Sequence, residues 1–173
     1  SAVINPDRIL RDAERARQLG SEATIVSMHW GNEKESQANS MQTGIAETLT
    51  SSGLIDLIVG HHAHVVQPIE QVNGVWVMYG LGNVLSNLPT DERWPANSQD
   101  AVIATIKLTK RPSGKISFDR PQVMPTWVDK RNGWVIRDVL TMLSDPKTDY
   151  GTARELELSL GRTTRVLGDF IAR

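Results

Sequence analysis

All four histidines of this 173-residue chain fall in two places. His29 follows the apolar, β-branched run Thr24-Ile25-Val26-Ser27-Met28, and His61, His62 and His64 follow a second such run through Gly60. Neutral imidazoles are the commonest protein ligands for Zn, Mn and Fe, so the clustering predicts a divalent metal site with His29, His61, His62 and His64 as candidate ligands. In an extended segment His62 and His64 would point to one side and His61 to the other, whereas a turn at Gly60 would bring all three inward. A harder cation such as Mg would also need carboxylates. Glu33 and Glu35, just beyond His29, and Asp56, inside the second run, are the nearest. Candidate catalytic residues are His29, His62 and Glu33. Glu33 and Asn83, the latter ending Gly80-Leu81-Gly82-Asn83, are candidate substrate contacts.

These side chains can meet only if particular elements carry them. Asn5-Pro6 reads as a cap followed by proline at the first helical position, predicting a helix over about residues 6 to 19 that stops at Gly20. Residues 24 to 28 read as a buried parallel strand. Met41, Ile45 and Leu49 give the next helix before Gly53, and Leu54 to Val59 the next strand. A strand–helix–strand crossover makes the two strands parallel and puts their C-terminal ends on one sheet edge, where open α/β sheets bind ligands. His29 and the histidine triplet are thereby expected to converge.

Asn73-Gly74 between Val65–Val72 and Val75–Tyr79 predicts a hairpin, because a type I′ turn needs positive φ at both central residues. Residues 101–108 and 115–118 are expected to pair across Arg111-Pro112-Ser113-Gly114, with a further strand near 123–128. Thr152 to Glu155 fits a capping box opening a terminal helix. Residues 145–151 read as a joint, dividing the chain into a main unit over 1–145 and a helical appendage over 146–173. Trp94, in the polar stretch 91–98, is the tryptophan expected to be available for binding.

Nineteen basic and twenty acidic residues, a net charge of −1 and no long run of either sign argue against nucleic acid as a partner. Lys107, Lys110, Arg111 and Lys115 are the one basic concentration that could meet a polyanion locally. Without cysteine, disulfides and thiolate metal sites are excluded. The apolar runs fall short of the roughly 20 residues a spanning helix needs, and Ser1 to Pro6 shows no leader pattern.

Three blocks, Ile25 to Glu33 with its His-Trp-Gly-x-Glu, Gly53 to Glu70 with its Gly-His-His-x-His-Val-x-Gln-Pro, and Tyr79 to Asn83, resemble the CapA family in order and spacing. This is the bacterial poly-γ-glutamate capsule-biosynthesis branch of the calcineurin-like metallophosphoesterase fold. The resemblance covers about residues 5 to 110. It implies an α/β fold, part of an α/β/β/α sandwich with mixed sheets, and a bacterial, extracytoplasmic cell-envelope location. It also implies work on poly-γ-glutamate or a related anionic polymer with a divalent metal (Mn, Zn, Fe or Mg).

The phosphoesterase pattern is Gly-His-x-His, whereas here histidines stand one, two and four places after Gly60, which leaves open which pair corresponds to the metal ligands. The family's domain opens with a Gly-Asp metal motif and further asparagine and histidine motifs that residues 1–28 do not contain. The chain is therefore expected to be the C-terminal half of that domain, with the missing N-terminal half as its partner or a homodimer in its place. Alone it should bind metal weakly and show no robust hydrolysis. Two other functions fit the same residues: a general metallophosphoesterase cleaving phosphodiesters or nucleotides, and a non-catalytic subunit that binds an anionic polymer.

Overall fold

In the computed structural model, which describes residues 4 to 171, the Asn5 carboxamide accepts the Arg8 N–H at 3.0 Å and Pro6 opens helix α1 (Pro6–Gln18). Ser1 to Val3, part of the stretch read for a leader pattern, lie outside the described residues. Strand β1 (Ile25–His29) leads by way of a loop to helix α2 (Ser40–Ser51) and strand β2 (Leu57–His61). α2 starts at a capping box in which the Asn39 side chain accepts the Gln42 N–H and the Gln42 side chain accepts the Asn39 N–H, both at 3.0 Å. β1 and β2 are parallel, with His29 opposite His61 in the register.

β2 begins three residues later than the sequence suggests and reaches His61. Asp56 accounts for the late start: its carboxylate accepts the Thr24 N–H at 2.7 Å and pairs with Arg17, fastening the strand's entry rather than extending its ladder. That lies at the far end of β2 from His61, so Asp56 is a structural carboxylate and not a metal ligand.

The hairpin forms as expected between β3 (Ile69–Val72) and β4 (Val75–Met78), with φ of 50° at Asn73 and 79° at Gly74. β3 is shorter than the predicted 65–72 because Pro68 has no N–H to give a ladder. Residues 65–68 instead run beside 79–81, with Gln67 N–H donating to Gly80 O at 2.9 Å and Val66 bridging Leu81. β4 also pairs parallel to β2, giving a mixed sheet of order β1-β2-β4-β3.

A second, antiparallel sheet has the order β5-β8-β9, from β5 (Asp100–Thr105), β8 (Gln122–Asp129) and β9 (Val135–Asp138). This corrects the expected pairing of 101–108 with 115–118. Only the short ribbon β6 (Leu108–Lys110) with β7 (Ile116–Phe118) spans that turn, while β5 pairs along its length with β8. Eight residues of β8, five of them ending the strand in buried positions, cover more apolar surface than three half-buried residues of β7 can. β9 and the short helix α3 (Val139–Ser144) carry no periodic signal and were not anticipated.

One core lies between α1, α2 and the mixed sheet, around Ala13, Met28, Trp30, Leu49, Ile58 and Tyr79. The sheet's other face joins the second sheet through Leu57, Ile69, Met78, Val102 and Val123. Helix α4 (Tyr150–Leu167) docks into this arrangement: Leu167 enters the second core, Leu156 packs on Trp127, and Ser159 and Arg162 bind the buried Asp100 carboxylate at 2.6–2.8 Å. The fold is thus α/β with one mixed and one antiparallel sheet, the class the resemblance implies. Among the described residues no helix is long and apolar enough to cross a membrane.

Candidate functional site

Parallel pairing carries His29 and His61 to the same sheet edge, and the backbone beyond each strand is tied to the other. Trp30 N–H donates to His61 O at 3.1 Å, and Lys34 N–H donates to Ala63 O at 2.8 Å. Gly60 is required beneath this junction. The Trp30 indole N–H donates to Tyr79 O at 2.9 Å directly over it, and a Cβ at residue 60 would lie 2.0 Å from that oxygen. The turn expected at Gly60 comes instead two residues later, at His62. His62 and His64 adopt φ of 98° and 60°, a region non-glycine residues enter at a cost and which concentrates at functional sites.

The turn breaks strand alternation and aims His62 and His64 together. One ring nitrogen of each and a Glu33 carboxylate oxygen all lie within 4.8 Å of one another. His29 stands against His62, ring centroids 4.4 Å apart, and His64 is 6.1 Å from His62. His61 lines the same cleft of about 250 Å³ with His29, His62, His64, Gly82 and Asn83, but it is not part of the close three-residue cluster. Glu35 is turned aside, its carboxylate accepting from Asn32 at 3.0 Å.

Asn83 orients His64. Its amide NH₂ donates to His64 O at 3.1 Å and Ser98 O at 3.0 Å, which fixes Oδ1 as an acceptor toward His64 Nδ1 at 3.0 Å. Nδ1 must then carry the proton, and Nε2 is left with its lone pair free, the arrangement found behind metal-ligating histidines. Gly82 makes the approach possible: with φ of 76°, a Cβ there would meet Asp100 O at 2.3 Å.

Below the Glu33 loop lies a device that residue types alone did not reveal. Gln42 and Gln67 are fully buried, and Gln42 Nε2 donates to Gln67 Oε1 at 2.8 Å. Gln67 Nε2 donates in turn to Glu35 O and Gln37 O, at 2.9 and 3.1 Å, pinning residues 35–37 to the β2–β3 connection. The sequence signal was Gln67 inside the Gly-His-His-x-His-Val-x-Gln-Pro block. Tyr79 is buried against Trp30 at 5.7 Å between ring centroids. Burial, reinforced by Glu70 and Glu47, pushes its hydroxyl up to about 12, so it stays neutral.

The donor set suits one divalent ion: two imidazoles and a carboxylate are the ligands of Zn, Mn and Fe sites, with bonds of about 2.0–2.2 Å for Zn. One candidate ligand, His64, is pre-set by Asn83, and another, Glu33, lies on a pinned loop. A larger groove of about 580 Å³ along Ile103, Arg120, Met124 and Phe170 contains a single carboxylate, Asp169, and no histidine, so it offers no comparable chemistry.

The comparisons agree with this site's motifs. The family described as "Bacterial capsule synthesis protein PGA_cap" matches residues 1–88. PGA biosynthesis protein CapA of Bacillus subtilis is 34% identical over 95 residues, 55% of this chain and 23% of that protein. Capsule biosynthesis protein CapA of Bacillus anthracis is 28% identical over 106 residues, 60% of this chain and 25% of that protein. A probable polyglutamine synthesis accessory protein of Mycobacterium tuberculosis is 36% identical over 63 residues, 36% of this chain and 16% of that one. The chain thus spans about a quarter of the length of the Bacillus relatives it matches. With the matched segment holding His29, Glu33, the histidine triplet and Asn83, the chain belongs to the bacterial capsule synthesis protein PGA_cap family.

Proposed function

We propose that this chain is part of a bacterial cell-envelope protein of poly-γ-glutamate capsule synthesis, and that Glu33, His62 and His64 hold a divalent metal at its site. The observation that carries the reading is the convergence of those three side chains, with Asn83 presetting His64. Names of relatives that specify PGA or capsule biosynthesis support the process.

A metal held there would supply Lewis-acid charge toward a phosphoryl or acyl oxygen. The chain's own residues do the rest. Asn83 holds the His64 tautomer, and Glu33 contributes a negative charge that favours cation binding. His29, exposed and packed against His62, is placed to take up or release a proton at the cleft mouth. The partner in this reading is a segment carrying the family's N-terminal motifs. Strand β1, an edge strand of the mixed sheet with Ile25 53% exposed, is where such a segment would join.

The test is metal content by elemental analysis after chelation and reloading, for the chain and for a His62→Ala/His64→Ala variant. Stoichiometric Mn or Zn, lost in the variant, is expected. Equal metal in both would sink the site. Turnover of γ-glutamyl polymer, compared with simple phosphodiesters, by the chain joined to its N-terminal segment then separates capsule chemistry from general phosphoesterase activity.

A further inference from the structure

Lys34, on the Glu33 loop, carries a positive charge that the site described above does not use. It follows Glu33, and its backbone is held in the left-handed region, φ 71°, by the bond from its N–H to Ala63 O. Such a conformation in an exposed lysine is costly, and at a functional site it points to a side chain being aimed. The ammonium sits 4.8 Å from the centroid of the Trp94 ring, and Trp94 stands perpendicular to His64 with centroids 5.4 Å apart. Trp94 is itself fixed. Its N–H donates to Asp91 O at 3.2 Å, and Asn97 ties the same segment to Ser36 of the Glu33 loop at 3.1 Å.

Among the described residues no carboxylate lies within ion-pair distance of Lys34, while the neighbouring cation Arg93 is satisfied by Asp91 at 2.7 Å. An unpaired ammonium on the Trp94 ring that packs against His64 opposes a metal at the cluster by like-charge repulsion. An anion lodged between the two reverses that sign, being attracted by both.

We infer that Lys34, braced by Trp94, is an anion subsite that takes a carboxylate of the substrate next to the metal cluster. The inference rests on the capsule-polymer reading only for the source of the carboxylate. A γ-linked glutamate chain leaves one free α-carboxylate on every unit, so a unit at the cluster presents a carboxylate to this rim. The indole face would cover the intervening methylenes.

The experiment is calorimetric titration of the Mn-loaded chain with tri-γ-glutamate, with its carboxamide counterpart and with inorganic phosphate. It is repeated for Lys34→Gln, Lys34→Arg and Trp94→Leu. Loss of one rim charge should weaken the oligomer about three- to tenfold. Lys34→Arg should restore it, Trp94→Leu should weaken it, and Mn affinity in Lys34→Gln should be equal or tighter. Oligomer binding unchanged in Lys34→Gln, with metal retained, overturns the subsite and leaves the capsule reading standing. Phosphate binding that depends on Lys34, with no oligomer binding, supports the subsite and removes the polymer reading. Binding of neither anion by the loaded wild-type chain overturns the subsite.

Discussion

Asn83 grips His64 at both ends of the residue, accepting from the ring Nδ1 at 3.0 Å and donating to the same residue's backbone carbonyl at 3.1 Å. Ring orientation and tautomer of His64 are set by one side chain from a different segment. Asn83→Ala removes both constraints without removing a ligand. Loss of such an outer partner costs about 10–100-fold in metal affinity, and calorimetry with Mn or Zn should read a drop in that range. Wild-type affinity in the variant would mean that His64 does not ligate.

His61 separates site membership from mere clustering. It lines the cleft but stands outside the group formed by Glu33, His62 and His64. His61→Ala should change metal affinity less than Asn83→Ala does, while His62→Ala and His64→Ala should each exceed the ~10–100-fold outer-partner loss. A reversed order would reassign the ligands to the first histidine after Gly60.

The Gln42–Gln67 pair predicts a stability effect localised to a loop. Gln67→Leu strands Gln42 Nε2 and the carbonyls of Glu35 and Gln37 without their partner, at about 1–3 kcal/mol for each group that water does not reach. Denaturant unfolding should show a loss of about 3 kcal/mol, and hydrogen exchange should rise first over residues 33–39. Uniform exchange across the chain would argue against a pinned loop.

Gly60→Ala tests the crossing of Trp30 over the strand. A methyl 2.0 Å from Tyr79 O and 2.4 Å from Trp30 Nε1 meets a backbone atom that cannot yield without separating β2 from β4. Overpacking costs of about 1–3 kcal/mol are a lower bound here, so a thermal midpoint close to wild type would contradict the packing.

Asp100 gives a pH-dependent prediction. Burial raises its carboxyl above the ordinary value, against the opposing pull of Arg162 and Ser159. A folded-state carboxyl that titrates higher than in the unfolded chain contributes stability at low pH and loses it as pH rises above about 3.9. Arg162→Met removes the opposing pull and steepens that loss. Its destabilisation, of about 3–5 kcal/mol when a buried charge is left unpaired, should therefore be larger at pH 7 than at pH 4 in parallel denaturation curves.

What could be read from sequence, and what could not, follows from the range of the forces involved. The cap at Asn5, the Asn73-Gly74 turn and the strand–helix–strand order around β1 and β2 are local. They rest on spacing and on backbone preference, so residue types determined them, and with them the arrival of His29 and His61 at one edge. Pairing of β5 with β8 rather than with 115–118 was decided by which partner buried more apolar surface, a comparison between segments roughly twenty residues apart.

The site divides the same way. That the histidines would serve one edge was fixed by their positions after two apolar strands, and the family motifs named Glu33 and Asn83. Which histidines face which neighbours was a tertiary matter. Positive φ at His62 and His64 arises because the chain must leave β2 while its carbonyls at His61 and Ala63 bond the loop after β1. The same closure brings Asn83 to His64 and Lys34 to Trp94, contacts across 19 and 60 positions of sequence that no local preference encodes.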